Sequence, residues 1–380
     1  MSTTTYASSF PSSKDKATCK PSSNPPQLPQ SVPAGFDSQL AYLLGLCCNS
    51  ANDQYTAYVT NTPIDQNDKN NPKNGQIQSV KPKPWEPDFS QILSQGYKSN
   101  PTHCNLSVFE TDVNGNSVEI PAGFIVRLDP TDEKKSSMVV VAFHGTQNSF
   151  ELNKIDFDMT PASFGGGLLW NLGSVHGGFY AQYTDGSNGQ GDLIDRAEGS
   201  LARQIYQYFN DNADGSLSVK VTGHSLGGAL ATLSALDIAY NFKSKFKSIS
   251  MYSLASPRVA DASAIDPGSA GTFVSHYQQY VPGSYRIVNT ADTVPTVPAA
   301  QFPFPPPLMT KVCAHILGDS DAIKYGIVSS NPSLDQNVVS FADENTQNGD
   351  DSPQDCQGAH SCPAVYVPFL ERLASATSAS

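Results

Sequence analysis

The chain has little that would hold it in a membrane or on a nucleic acid. No apolar run approaches the roughly 18 residues of a membrane-spanning helix. The longest, Met138 to Phe143, covers six. Basic clusters are lacking too. Lys and Arg number 23 against 35 Asp and Glu, a net charge of −12, which argues against nucleic acid as a partner. Among seven cysteines, no two stand at C-x-x-C zinc spacing, so a metal role is not expected. Their odd number leaves at least one thiol unpaired within the chain. The start, Met-Ser-Thr-Thr-Thr-Tyr-Ala, lacks the basic and apolar regions of a signal peptide, so none is expected in this chain.

What is present falls into two parts. Residues 1–32 are rich in Ser, Thr, Pro and Lys and read as a disordered arm. Residues 33–380 carry enough apolar side chains for one domain with a large core. Phe36, Leu40, Leu43, Leu44 and Cys47 recur at helical steps. Residues 105–129 read as two antiparallel strands around Val113-Asn-Gly-Asn116, a hairpin turn. The unbroken apolar run 138–143 predicts a strand buried on both faces, ending in His144-Gly-Thr146. An amphipathic helix is expected over 193–210, strands over 249–254, 285–289 and 311–317, and a last helix from about 363 to 374. Alternation of strands and helices predicts an α/β fold with an open, mostly parallel sheet. Residues 147–175 hold Phe150, Leu152, Ile155, Phe157, Met159, Phe164, Leu168, Leu169 and Trp170, broken by Gly165-Gly-Gly167. Two readings stand side by side: a mobile apolar cover over about 148–172, or a surface excursion packed on the core.

The chain is organised around Ser216 to Leu230. Leu217, Val219 and Val221 alternate with polar residues as in a strand, and Leu226, Leu230, Leu233 and Leu236 follow at helical spacing. Between them Gly223-His-Ser-Leu-Gly227 fits G-x-S-x-G. Strand, sharp turn and helix in that order place a serine in strained backbone at a helix N-terminus, where a developing negative charge is favoured. A serine nucleophile needs a base and an acid to orient it, and on α/β sheets these follow in the order acid, then histidine. The acids at strand ends after Ser225 are Asp261 and Asp292. Asp292 is preferred because it directly follows the strand 285–289. The later histidines are His315, inside a strand pattern, and His360, in a loop before the last helix. The loop position favours His360.

These motifs together resemble the class 3 lipases, the fungal-type lipase family of the α/β-hydrolase superfamily, over about residues 36–375. Phe143-His-Gly-Thr146 is similar to the family's oxyanion strand-loop, with His where Arg usually precedes the Gly. Val175-His-Gly-Gly-Phe179 is similar to the segment after the lid. Ser256-Pro-Arg-Val-Ala-Asp261, Asn289-Thr-Ala-Asp-Thr-Val-Pro295 and Ala359-His360 match further motifs in order. The resemblance implies a Ser225–Asp292–His360 triad with Thr146 and Leu226 as oxyanion donors, no metal or cofactor, and a lipid ester at an oil–water or membrane interface as substrate. It implies a triacylglycerol lipase first. A phospholipase A1 or a feruloyl-type esterase of soluble esters would use the same chemistry, and a lipase-like regulator that binds partners without catalysis is the rival of another class. The family also implies export, although the start shows no leader. Cys356 and Cys362 flank His360, and a disulfide clamping that loop is expected.

Overall fold

The computed structural model describes residues 28–29, 31–61, 86–98, 101–111, 117–133, 135–146, 161–165, 171–186, 192–212, 214–261, 272–292, 294–296, 313–314, 337–342 and 359–378. Its frame is a seven-stranded sheet. In spatial order the strands are β1 (His103–Thr111), β2 (Ser117–Leu128), β3 (Met138–Phe143), β6 (Ser218–His224), β7 (Ser248–Leu254), β9 (Gly283–Asn289) and β11 (Val338–Phe341). β1, β2 and β3 pair antiparallel, and every pairing from β3 to β11 is parallel. Parallel neighbours need crossover connections, and these put helices on both faces. This is the open, mostly parallel α/β sheet that the alternation of strands and helices predicts.

β3 shows why its sequence is apolar without interruption. Val139, Val141 and Phe143 enter a core with α3 (Gly177–Thr184), α4 (Leu201–Asp211), α5 (Leu226–Phe242) and α6 (Phe273–Tyr280). Met138, Val140 and Ala142 enter a second core on the other face, with α1 (Ser38–Asn61) and α7 (Val367–Ser378). The two-residue period of a strand divides one run between two cores. α1 and α7 lie together: Gln39 Nε2 donates to Ala374 C=O at 2.8 Å. Leu28 and Val32, at the end of the expected arm, pack against the same core. Residues 1–27 lie outside the described residues.

A small second sheet runs β10 (Cys313–Ala314), β8 (Ala260–Asp261), β5 (Ser174–His176) and β4 (Pro161–Ser163), all antiparallel. Most of the expected cover, 147–160 and 166–170, lies outside the described residues. Its described parts are held to the core. β4 pairs with β5, and buried Phe164 makes edge contacts with Tyr180 and Phe273 at 6.0 and 5.1 Å.

One helix starts later than its periodicity predicts. α4 begins at Leu201, capped by Ser200, whose Oγ accepts from Arg203 N at 3.1 Å. Residues before it turn instead because Arg196, with φ +43°, aims its guanidinium at buried Asp237 of α5. The pair is bidentate at 2.8 and 2.7 Å. Tyr183 Oη adds a third donor to the carboxylate at 2.7 Å. A buried charge needs such partners, and here they override local helical preference. Among the described residues no helix is long and apolar enough to cross a membrane.

Candidate active site

β6 delivers Ser225 to a sharp turn, and α5 leads away from it. Ser225 has φ +58° and ψ −129°, a backbone conformation that costs about 1–3 kcal/mol for a residue with a side chain. The surroundings hold it there: Ser225 N donates to Leu254 C=O at 2.9 Å, and Gly228 N to Ser225 C=O at 2.8 Å. The turn closes only because its flanks are glycine. A Cβ on Gly223 would sit 2.0 Å from Gly227 O, and one on Gly227 would sit 2.3 Å from His144 O. Leu226 opens α5, so its backbone N–H belongs to the first turn, where a helix offers it no internal acceptor. The loop after β3 lies directly on the elbow. A Cβ on Gly145 would be 3.0 Å from both Ser225 Cβ and His224 O. Thr146, half-buried, is the next residue.

The acid and the histidine meet from far apart in sequence. Asp292 leaves the end of β9 with its side chain fully buried. Its Oδ1 accepts from Val294 N at 2.9 Å, and its Oδ2 accepts from His360 Nδ1 at 2.8 Å. A neutral imidazole carries one N–H. With that proton on Nδ1, Nε2 is left as the acceptor, and Nε2 is buried with no hydrogen-bond partner among the described residues. The His360 ring lies against that of His224, centroids 4.5 Å apart, and His224 immediately precedes Ser225.

Two neighbours of this pair had no local signal in the sequence. Tyr366 Oη donates to Asp292 Oδ2 at 2.7 Å and accepts from Asn289 N at 3.0 Å. Burial first, and the Asp292 charge second, push its pKa well above the ordinary phenol range. The hydroxyl therefore stays a donor at any working pH. His224, which reads as the variable position of the elbow, directs Nε2 at His360 C=O, 2.8 Å away. Burial first, then the adjacent His360, hold its pKa well below the ordinary imidazole range. A neutral His224 adds no positive charge beside His360. Asn289 Nδ2 fixes the same loop by donating to Ala359 C=O at 3.0 Å.

The alternatives are placed elsewhere or not described. Asp261 sits in β8, paired with Cys313 in the small sheet. His315 and Cys356 lie outside the described residues. Cys362 is buried with no disulfide partner among the described residues; Cys356, the partner expected for it, lies outside them. Its side chain belongs to the core with α1 and α7. Among the described residues the histidine loop is held by the hydrogen bonds of Asn289 and His224.

Residues 140–302 match the family model of the class 3 lipases. This segment is similar to the class 3 lipases. It contains the elbow, the oxyanion loop and Asp292, while α1 and His360 lie outside it. Phospholipase A1-II 6 of Oryza sativa subsp. japonica is 32% identical over 191 residues, covering 45% of this chain and 43% of the relative. Phospholipase A(1) DAD1, chloroplastic, of Arabidopsis thaliana is 32% identical over 168 residues, covering 42% and 33%. The chain thus spans less than half the length of these curated relatives. Among solved structures, a triacylglyceride lipase of Rhizomucor miehei is 21% identical with a TM-score of 0.39, covering 78% of this chain and 91% of that one.

Proposed function

We propose that this protein is a serine hydrolase that cleaves carboxylic esters of lipids. The observation that carries the reading is the buried Asp292–His360 pair, its Nε2 without a partner among the described residues, packed through His224 against the strained Ser225 turn. Ser225 Oγ attacks the ester carbonyl, and His360 Nε2 takes its proton. Asp292 keeps the imidazole in the Nδ1–H tautomer and stabilises its charged form. The backbone N–H groups of Thr146 and Leu226 receive the oxyanion of the tetrahedral intermediate. The imidazolium then protonates the leaving alcohol, and water releases the acyl group by the same steps. These residues need no cofactor for that sequence.

Within this class the sequence resemblance points first to triacylglycerol. A second reading, phospholipase A1, has its own support, because the curated relatives of the central segment carry that name at 31–38% identity. One assay separates the two. The protein is presented in parallel with emulsified triglyceride and with phosphatidylcholine vesicles, and fatty acid and lysophospholipid are quantified. Ser225→Ala is the companion test, since losing such a nucleophile costs on the order of 10⁶ in kcat. Retention of more than a small fraction of activity would refute the serine mechanism. Hydrolysis of soluble esters alone would remove the lipid reading.

A further inference from the structure

The oxyanion loop carries His144 where the resembling family usually has an arginine, whose guanidinium would offer five donors. This chain holds the loop differently. Gly145 N–H donates to Asn52 Oδ1 at 3.1 Å, and Asn52 lies on α1, 93 residues earlier. His144 is gripped on several sides. Its backbone N–H donates to Ala122 C=O at 3.2 Å. Its Nε2 lies 2.7 Å from Pro121 C=O and its Nδ1 2.5 Å from Gly145 C=O. Its ring packs on Tyr55, centroids 5.1 Å apart. Asn52 and Tyr55 are three residues apart, and so share a face of α1.

These contacts fix two consecutive peptide units. A peptide is planar and trans, so its C=O and N–H point in opposite directions. Asn52 sets the 144–145 unit through Gly145 N–H. His144 sets the 145–146 unit through Gly145 C=O, and that unit carries the Thr146 N–H. Gly145 itself offers little torsional resistance, so without these pins the Thr146 N–H would wander. Side-chain bulk cannot supply the stiffness, because a Cβ at 145 would press on Ser225 Cβ. A carbonyl only accepts, and a neutral imidazole has one N–H. An imidazole that faces two carbonyls is a less definite pin than Asn52 Oδ1, which simply accepts from Gly145 N–H.

We infer that Asn52 is a positioning residue for the oxyanion hole, which makes α1 a working part of the site although it lies outside the family segment. The inference rests on the hydrolase reading above. Asn52→Ala lowers kcat on a soluble nitrophenyl ester by about 10- to 100-fold, the cost of misplacing a catalytic group by about an ångström. KM changes by less than about twofold, since the loop is needed for the transition state more than for the bound ester. An alkyl boronic acid, whose tetrahedral serine adduct places an oxygen in the oxyanion hole, loses affinity in step with kcat/KM. Asn49→Ala, one turn earlier on α1, keeps wild-type values.

Three results would overturn the inference: Asn52→Ala with kcat within twofold of wild type, a kcat loss with unchanged boronate affinity, or a loss confined to KM. If Asn52→Ala does not fold, Asn52→Gln carries the test. It keeps the amide but displaces the acceptor by one methylene, and wild-type kcat there overturns the inference equally. Ser225→Ala distinguishes the two levels. An inactive Ser225→Ala beside a fully active Asn52→Ala removes only the role of α1, while an active Ser225→Ala removes the hydrolase reading itself.

Discussion

Tyr366→Phe removes a single oxygen and tests how the acid of the site is held. The ring stays, wholly buried among Phe341, His224 and the core between α1 and α7, so the change opens almost no cavity. Two hydrogen bonds go. The bond to ionised Asp292 is of a kind that contributes about 1.5–3 kcal/mol, and the buried Asn289 N–H that loses the hydroxyl adds about 1–3 kcal/mol. These partners share one network, so the terms do not simply add. A net loss of about 3 kcal/mol follows, which for a domain of this size lowers the thermal midpoint by about 4 °C. Asp292 keeps Val294 N on Oδ1 and His360 Nδ1 on Oδ2, so the pair persists with a looser carboxylate. An about tenfold fall in kcat, or ~1.4 kcal/mol of transition-state stabilisation, is expected. The assay is thermal melting beside kcat on a soluble ester, measured well below the variant's melting point. Unchanged melting and unchanged kcat together refute the reasoning. Lower stability with unchanged kcat reduces Tyr366 to a core hydrogen bond.

Other perturbations are as direct. Gly145→Ala forces a methyl 3.0 Å from Ser225 Cβ and His224 O, so soluble-ester activity falls at least tenfold while circular dichroism is unchanged; full activity would show that the loop yields freely. Asp237→Ala leaves the Arg196 guanidinium buried without its carboxylate, a change of about 3–5 kcal/mol, and urea denaturation should show it; a loss below about 1 kcal/mol would contradict the burial of that pair. His224 has a depressed pKa in the folded state, so the unfolded chain binds a proton that the folded chain refuses. Its contribution to stability is therefore complete above about pH 6.5, the ordinary imidazole value, and is lost as pH falls below it, by up to about 1.4 kcal/mol per unit. Denaturation of wild type and His224→Asn at pH 7.5 and 5.5 should show a smaller difference between the two pH values in the variant, and equal differences would refute it. His360→Gln and Asp292→Asn should each abolish most activity, with the double variant little worse than the singles; strictly multiplicative losses in kcat would deny that they act as a unit.

Parts of this architecture were legible because their causes are local. The apolar run of β3, the alternation of β6 and the helical spacing of α5 each state their environment within a few residues, and together they give the parallel sheet. The start of α4 was not legible, because the partner that pulls residues 193–199 out of helical register, Asp237, lies 41 residues beyond Arg196. β11 was missed because four residues carry too little periodicity. At the candidate site, Ser225 and Asp292 stand where a strand ends, a position that pattern can find. Tyr366 and His224 have no such signal. Tyr366 reads as one more residue of the expected last helix until folding sets its hydroxyl on a carboxylate 74 residues away.

The pairing of α1 with α7 has a consequence for biosynthesis. The face of α1 that carries Leu43, Leu44 and Leu46 is buried by a core whose other helical wall, Phe369, Leu370 and Leu373, is nearly the last part of the described chain to be made. At about 5–20 residues per second, the ribosome needs on the order of half a minute to travel between the two. Throughout that interval the apolar stripe of α1 has the strands of the sheet as partners but not its helical wall. The nascent chain is therefore a natural client for chaperones that shield exposed apolar helices. Stop codons that remove Val367–Ser378 should yield insoluble protein even where every other element has been synthesised.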